Sequence, residues 1–269
     1  MTPLRLGAVD YLNARPLTYG LERRSDLFSL RYDPPSRCAM LLHDGHIDVG
    51  MIPAIEYCRG PEYHIVPGLG IVSKRTVASV ALFTKVPLEK IKTIAADSSS
   101  RTSDALLRIL CHERFGINPE LNQMAPDVDD MLAAADAALI IGDPALFLDP
   151  EKKGVEKIDL GEQWTGMTGL PFVWAFWAGR PGVMTPEAVL ALQQARDAGV
   201  ADSDAIAAGY AGPARAALSQ AYLRDNIHYV MGDREMAGVR KYYELAARHG
   251  LIQAPRQPIF YPGTVPASR

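Results

Sequence analysis

The sequence predicts an α/β protein built from two lobes with a cleft between them. Strands and helices alternate from the start of the chain, a second alternating series begins near residue 91, and apolar strands near residues 77–84 and 172–179 bracket that second series. With 269 residues and 48% hydrophobic content, the chain can build a core in each lobe. We assign residues 1–84 to the first lobe, residues 85–171 to the second, and residues 172–269 to a return strand and C-terminal helices of the first lobe.

The first lobe begins with a βαβαβ pattern. The runs RLGAVDY, FSLRYD and HIDVGMI predict three strands. A helix is expected over residues 16–24. The run PSRCAMLLHDG predicts a second helix, which places Cys38, Leu41 and Leu42 on one side and ends at Gly45. Such a beginning indicates a mostly parallel sheet.

The second lobe follows the strand in TVASVALFTKVP, which stops at Pro87. The runs IKTIAA, LNQMA and AALIIG predict three strands, and helices are expected over residues 101–115 and 127–134. FVWAFWAG predicts the return strand. From Thr185 onward the pattern is helical only, because TPEAVLALQQARDAG and GDREMAGVRKYYELAARHG each combine a helix start signal with a terminal Gly.

Composition and charge argue against several classes of partner. A formal net charge of −3 does not suit nucleic-acid binding, which needs a basic face. The three cysteines, Cys38, Cys58 and Cys111, are odd in number and widely spaced, so we expect buried thiols and no disulfide or CxxC site. Neither a secretory signal nor a run of about 18 apolar residues is found. We therefore expect a cytoplasmic protein with no membrane or nucleic-acid partner.

The stretch VDYLNARPL places Asn13 between the first strand and the first helix. Pro16 fits a first helical turn, where its missing N–H costs nothing, and an Asn before it can cap the helix. Loops of this kind also lie at the carboxyl ends of the strands, where open α/β sheets bind ligands. Asn13 is therefore either a helix cap or a cleft-facing amide.

The loop DSSSRTS is the most polar loop of the second lobe. Ser99, Ser100, Thr102 and Ser103 offer hydroxyl and backbone N–H donors at a helix N-terminus, which suits a carboxylate or phosphate, and Arg101 adds a charged donor. Because Ser and Thr are also favoured as caps, a well-capped helix without a ligand is the alternative.

Two further strand ends resemble this arrangement. In IIGDPAL, Gly142 permits close approach of a ligand to the backbone, and Asp143 is expected to cap the helix that Pro144 opens. In MIPAIEY, Pro53 is expected to open a helix beside the cleft. Glu56 is then an acid or base candidate, although a solvated Glu56 is the simpler interpretation.

Familiar catalytic patterns are absent from the sequence. It contains no GxSxG, HExxH, P-loop or strand-following GxGxxG motif, and its six histidines show no ligand spacing apart from HDGH. His43 and His46 of that motif flank a tight turn and are expected to be exposed. An enzyme with this sequence is expected to use neutral hydrogen-bonding groups, with neither a metal nor a nucleotide cofactor.

Taken together, these loops resemble the chorismate dehydratase family of the futalosine route to menaquinone. The matching segments are YLNARPL, PSRCAMLLHDGHIDVGMIPAIEY, VASVALFTKVP, SSSRTS, IGDPAL and DLGEQWTGMTGLPFVWAFWAGR, in family order over residues 4–180. The resemblance implies the two-lobed fold of type II periplasmic binding proteins, with mixed sheets and an inter-lobe cleft. One departure is Lys74 in IVSKRTVASV, where a Gly is common in the family.

The resemblance also implies roles for individual residues. It implies that Asn13 and Ser79 are the catalytic pair and that chorismate is the substrate. The expected substrate-binding residues are Ser99, Ser100, Arg101, Thr102, Ser103, Ile55, Gly142 and Asp143. Glu56 and Asp143 remain weak candidates for a protein base, since a carboxylate of the substrate could take the proton itself.

Two other functions remain open at this stage. The sister enzyme of the same pathway, which makes 1,4-dihydroxy-6-naphthoate, shares the fold but has a different N-terminal loop, and YLNARPL favours the dehydratase. A non-enzymatic carboxylate-binding protein would use the same cleft. It would be expected to have a secretory signal or an attached DNA-binding motif, and the sequence shows neither.

Overall fold

Two mixed β-sheets form the framework of the protein, which we describe from a computed structural model over residues 2–263. The strands are β1 (Leu4–Val9), β2 (Phe28–Asp33), β3 (Val49–Pro53), β4 (His64–Ile65), β5 (Ile71–Ser73), β6 (Val80–Thr84), β7 (Thr93–Asp97), β8 (Glu120–Met124), β9 (Ala137–Ile141), β10 (Glu156–Asp159) and β11 (Phe172–Gly179).

Helices cover both sheets and form the C-terminal region. The α-helices are α1 (Arg15–Thr18), α2 (Pro35–His43), α3 (Glu56–Arg59), α4 (Thr102–Leu110), α5 (Val128–Ala134), α6 (Gly142–Phe147), α7 (Pro150–Lys153), α8 (Leu160–Thr168), α9 (Pro186–Ala201), α10 (Ser203–Ala211), α11 (Ala216–Ala221) and α12 (Asp233–Arg248). Short 3₁₀ helices lie at Leu12–Ala14, Leu21–Arg23 and Leu88–Lys90, and π-helical turns at Cys111–Phe115 and Tyr222–Asn226.

The first sheet has the order β2-β1-β3-β11-β4, and β5 also pairs with β11. β1 runs parallel to β2 and β3, whereas β11 is antiparallel to β3. Every residue of β11 is buried. Its continuous apolar sequence, without polar alternation, reflects a strand covered on both faces.

The second sheet has the order β10-β6-β9-β7-β8. β7 is parallel to β8 and β9, and β6 is antiparallel to β9 and β10. β7 and β9 are central, which explains their short apolar runs, while β8 at the edge is mostly exposed.

One strand assignment is wrong. The strand near residues 77–84, which we placed in the first lobe, is β6 of the second sheet, so the chain changes sheets between Ser73 and Val80. A short apolar strand does not specify its partner, and the pairing of β6 with β9 is a long-range contact. The sequence patterns did not predict β10 and α8, which complete the second lobe.

Two details near the N-terminus also differ from expectation. The helix expected over residues 16–24 is broken into α1 and a 3₁₀ turn, because Gly20 adopts a positive φ of 71°. Pro53 ends β3 and does not open a helix. By contrast, α2 is confirmed, with Cys38, Leu41 and Leu42 buried.

The core is continuous through both lobes. It includes Leu6, Ile52 and Phe176 in the first lobe and Ile94 and Leu106 in the second, all with no exposed surface. The three cysteines are buried and unpaired, as expected. Among residues 2–263, the helices include none with the length and apolar character needed to cross a membrane.

Candidate active site

A cleft lies between the two sheets. The carboxyl ends of β1, β3 and β9 reach it, which is where open α/β sheets bind ligands. Its lining includes Val9, Tyr11, Asn13, Pro53 and Trp174 from the first lobe and Ser100, Arg101, Thr102, Ser103, Ile141 and Gly142 from the second.

Asn13 faces this cleft and does not cap a helix. It lies inside the 3₁₀ turn Leu12–Ala14, and neither that turn nor α1 has a side-chain cap. The Oδ1 atom of Asn13 is buried and has no hydrogen-bond partner in the part of the chain that the structure describes. A buried amide oxygen without a partner is costly, so this atom is poised to accept a hydrogen bond from a ligand.

Ser79 is presented by a strained turn just before β6. The Ser79 N–H donates to the Val77 carbonyl at 2.8 Å, and Ala78 between them has a φ of 62°. This is the strained three-residue γ-turn, in a conformation that costs a non-glycine residue about 1–3 kcal/mol. Ser79 is buried and is not itself among the residues that line the cleft, although its neighbour Val80 is.

Asp159 at the end of β10 holds this turn in place. Its carboxylate accepts the N–H groups of Val77 at 3.0 Å and Ala78 at 2.7 Å, and it also caps α8 through the Glu162 N–H at 3.0 Å. Burial raises the pKa of Asp159, and these backbone donors oppose that rise.

Tyr222 connects Ser79 to Asn13. Its hydroxyl donates to Ser79 Oγ at 2.6 Å in a fully buried contact. The Asn13 side chain also lies next to this hydroxyl. Burial raises the pKa of Tyr222, while Ser79 and Asn13 both act to lower it. The two residues predicted to be catalytic therefore meet at one tyrosine.

The loop before α4 forms the opposite wall of the cleft. Ser100 Oγ is buried and, among the described residues, has no hydrogen-bond partner. The N-cap position of α4 is Arg101, which makes no side-chain capping bond, so the interpretation of this loop as a well-capped helix is wrong. Arg101 is exposed, whereas Thr102 and Ser103 are buried, and all three line the cleft.

Two predicted binding residues lie just behind this wall. The Ile55 N–H donates to Thr102 Oγ1 at 3.2 Å, which leaves the Thr102 hydroxyl proton free. Ser99 donates its hydroxyl to Asp97 Oδ1 at 2.7 Å. Neither Ile55 nor Ser99 is among the lining residues. Burial raises the pKa of Asp97, and Ser99 partly offsets this rise.

Gly142 lines the cleft with a φ of 67°, and a side chain there would collide with the ring of Tyr11. The Gly142 N–H donates to the Ser79 carbonyl at 2.7 Å. Gly142 is therefore required by conformation and by close packing across the lobes.

Asp143 does not cap α6, which has no side-chain cap. Its carboxylate reaches across to the first lobe, where it accepts the Leu12 N–H at 3.2 Å and the hydroxyl of Tyr210. It does not line the cleft. The cap interpretation fails because α6 begins at Gly142, with Ile141 at its N-cap position, so that Asp143 already lies within the first turn. Burial raises the pKa of Asp143, and Tyr210 partly offsets this rise.

Glu56 is buried, contrary to the solvated interpretation. It pairs with Arg59 Nη1 and His43 Nε2, both at 3.1 Å. Burial alone would raise the pKa of Glu56, but His43 and Arg59 lower it overall. His43 is only partly exposed, because Tyr63 also hydrogen-bonds it at 2.7 Å, whereas His46 is exposed as expected.

The lining of the cleft contains no Asp, Glu or His among the described residues. The same part of the chain has no group of three or more His, Cys, Asp or Glu residues that could hold a metal ion. Tyr11 and Trp174 provide aromatic surface, and the indole N–H of Trp174 is fixed by Ser73 Oγ at 3.0 Å. The site can therefore hold a small polar molecule through neutral groups and one arginine.

Sequence reasoning missed Tyr222, Asp159 and Tyr11. Tyr11 and Asp159 stand in YLNARPL and DLGEQW, so their position beside the matching segments was a usable signal. Tyr222 follows α11 in the helical tail and carried no local signal, since its role depends on contact with residues far away in the chain.

Comparison with known proteins places the chain in a family. Residues 4–248 match a family model described as menaquinone biosynthesis. Chorismate dehydratase of Thermus thermophilus is 29% identical over 285 residues, which cover 97% of this chain and 100% of that protein. Chorismate dehydratase of Campylobacter jejuni subsp. jejuni is 32% identical over 178 residues, which cover 63% of this chain and 64% of that protein.

Solved structures resemble the fold at low identity. Protein AF1704 from Archaeoglobus fulgidus superposes with a TM-score of 0.76 at 18% identity, covering 93% of this chain and 99% of that one. The Candida albicans CA3427 gene product, described as having the generic periplasmic binding protein fold, gives 0.64 at 10% identity, covering 97% and 98%. The predicted two-lobed fold is thus confirmed, and the match over residues 4–248 shows that this chain belongs to the menaquinone biosynthesis family.

Proposed function

We propose that the protein is a chorismate dehydratase, a carbon–oxygen lyase that converts chorismate to 3-[(1-carboxyvinyl)oxy]benzoate in the futalosine route to menaquinone. The observation that carries the proposal is a pair of buried polar atoms on opposite sides of one cleft. Asn13 Oδ1 and Ser100 Oγ both lack partners among the described residues, and a bound polar molecule would supply them. The curated relatives of this chain are named chorismate dehydratases.

The reaction needs orientation and proton handling more than strong catalytic groups. Chorismate carries a ring carboxylate, an enolpyruvyl ether with a second carboxylate, and a hydroxyl beside the ether carbon. Loss of the proton on the ether carbon and departure of the neighbouring hydroxyl release one water and leave an aromatic ring. The enzyme must hold a single conformer in which this elimination outruns rearrangement and loss of pyruvate.

The donors of the second lobe suit one carboxylate of this substrate. Ser100, Thr102 and Ser103 lie at the N-terminus of α4, where hydroxyls, backbone N–H groups and the helix dipole all favour an anion. Arg101 adds a charged donor at the mouth of the cleft. Asn13 and Ser79 then fix the other end of the substrate and assist the departing hydroxyl.

We assign the removal of the proton on the ether carbon to the second carboxylate of the substrate itself. Glu56 and Asp143, the protein candidates, are engaged with His43, Leu12 and other partners and do not line the cleft. An intramolecular carboxylate lies close to the ether carbon and needs no protein base. We further propose that the protein acts in the cytoplasm.

Incubation of the purified protein with chorismate tests the proposal, with the products separated by liquid chromatography and identified by mass. We expect a product lighter by one water, with the absorbance of a substituted benzoate. Conversion of cyclic dehypoxanthinyl futalosine to dihydroxynaphthoate would identify the sister enzyme instead. Binding of chorismate without conversion would identify a carboxylate-binding protein.

A further inference from the structure

Tyr222 is a buried side chain at the start of the π-helical turn that continues α11. Its ring is 1% exposed, and it is not among the residues that line the cleft. Turns of this kind often occur at functional sites because they shift one side chain out of helical register. Here the shifted region brings the Tyr222 hydroxyl to Ser79, a residue 143 positions away in the sequence.

The hydrogen bonds of Tyr222 have a defined direction. Its hydroxyl donates to Ser79 Oγ at 2.6 Å. The Asn13 side chain also contacts this hydroxyl. Because Asn13 Oδ1 has no partner among the described residues, the contacting group is the amide Nδ2 group, which can only donate. The three side chains thus form one ordered chain from Asn13 through Tyr222 to Ser79.

This order leaves one free group at each end of the chain. Ser79 Oγ accepts from Tyr222, so its own proton is available to another acceptor. Asn13 uses its Nδ2 group on Tyr222, so its Oδ1 atom is available to a donor. Consecutive hydrogen bonds polarise one another, which makes the terminal Ser79 hydroxyl a better proton donor.

We propose that Tyr222 is a positioning residue for the elimination, holding the Asn13 amide oxygen toward the cleft and the Ser79 hydroxyl proton toward the departing hydroxyl of the substrate. This inference rests on the proposed dehydratase function. It also changes the role expected for Asn13, which presents an acceptor to the substrate in place of a donor.

Tyr229 provides a matched control within the same region. It is also buried and has a hydroxyl without a partner among the described residues. Replacement of either tyrosine by phenylalanine keeps the ring and removes one oxygen. Only the change at Tyr222 breaks the chain between Asn13 and Ser79.

The experiment compares steady-state kinetics of Tyr222→Phe, Tyr229→Phe, Ser79→Ala and the double variant Ser79→Ala/Tyr222→Phe with chorismate. For Tyr222→Phe we expect kcat to fall on the order of 100-fold, because Asn13 and Ser79 lose their alignment. KM should change less than about threefold, because the carboxylate-binding donors before α4 are unaffected. Tyr229→Phe should keep the wild-type kcat. In the Ser79→Ala background, Tyr222→Phe should cost less than in the wild type, since the part of its effect that acts through Ser79 is already lost.

Melting temperatures of all variants separate positioning from folding. If Tyr222→Phe does not fold, the double variant is compared with Ser79→Ala. The double variant contains no unpaired Ser79 hydroxyl, so that source of instability is removed. A further loss of kcat well below about 100-fold supports the inference, and a further loss of about 100-fold or more contradicts it. If the wild type converts chorismate and Tyr222→Phe is fully active, the inference about Tyr222 is wrong and the proposed function stands. A wild type that leaves chorismate unchanged would overturn the proposed function and this inference with it.

Discussion

At the scale of single residues, two unpartnered polar atoms define the candidate site. Asn13 Oδ1 and Ser100 Oγ are buried on opposite sides of the cleft without partners in the described part of the chain. Such groups reduce the stability of a protein unless a ligand satisfies them. Substitutions at these positions should therefore separate ligand binding from folding.

Asn13→Asp tests whether the amide acts on the substrate. Asp would cap a helix as well as Asn does, but the structure gives Asn13 no capping role. A carboxylate would instead lose the Nδ2 donor to Tyr222 and repel an anionic substrate. We expect kcat/KM for chorismate to fall by roughly 10²–10³-fold, with the melting temperature nearly unchanged.

The matched control for this change is Asn122→Asp on the exposed edge strand β8, which should keep full activity. Near-normal turnover by the Asn13→Asp protein would remove Asn13 from the catalytic assignment.

Ser100→Ala tests the anion site. Because the Ser100 hydroxyl has no partner in the unliganded protein, its removal should leave the free energy of unfolding unchanged or slightly higher. Substrate binding should weaken by about 1–3 kcal/mol, the usual value of a hydrogen bond to a charged group. Calorimetric titration with the reaction product measures this loss. Ser98→Ala, at an exposed position of the same loop, should bind normally, and equal affinity for both variants would exclude Ser100 as a ligand.

At the scale of elements, the end of β10 fixes the turn that presents Ser79. Asp159 joins three backbone N–H groups from the turn and from α8, and the Lys157 ammonium donates to the Ala78 carbonyl at 2.6 Å. Ala78 keeps its strained φ because these contacts fix the backbone around it. β10 and α8, which the sequence patterns did not predict, therefore hold the turn that carries Ser79.

Asp159→Asn should disturb this support. An amide keeps one acceptor oxygen but turns its NH₂ group toward a backbone N–H, so the turn loses at least one hydrogen bond. We expect a loss of about 1–3 kcal/mol in the free energy of unfolding by urea, together with a lower kcat. Asp127→Asn is the control, because Asp127 caps α5 through a single oxygen and Asn caps equally well. Unchanged kcat in Asp159→Asn would show that the turn holds Ser79 without this carboxylate.

At the scale of the whole molecule, the lobes touch beside the cleft through Asp143. This carboxylate of the second lobe binds the Leu12 N–H and the Tyr210 hydroxyl. Leu12 begins the 3₁₀ turn that contains Asn13, so contact between the lobes and the placement of Asn13 are coupled. The packing of Tyr11 against Gly142 strengthens the same junction.

Asp143→Ala should loosen this junction. The Leu12 N–H and the Tyr210 hydroxyl lose their acceptor, so we expect kcat/KM to fall at least tenfold. In the presence of product, small-angle scattering should give a larger radius of gyration for the variant than for the wild type. Asp149→Ala, which removes an exposed cap of α7 in the same lobe, should change neither quantity. A wild-type radius and wild-type kinetics in Asp143→Ala would show that the lobes close without this contact.

Local patterns were sufficient for most elements. The apolar run of β11, the helix α2 ending before Gly45 and the capped helix α5 all depend on neighbouring residues, and each is confirmed. The loops that line the cleft were also predictable, because the carboxyl ends of strands meet at one edge of a sheet. The fold class and the positions of Asn13 and Ser100 follow from these rules.

The sequence by itself therefore determined the two-lobed fold and the loops that face the cleft, since both depend on periodicity and short motifs. Tertiary structure alone decided which sheet β6 joins, that Asp143 bridges the lobes, and that Tyr222 meets Ser79. Each of these contacts joins residues 53 or more positions apart. A buried hydroxyl or carboxylate takes whichever donor or acceptor the packed chain brings near it, and no local pattern records that choice.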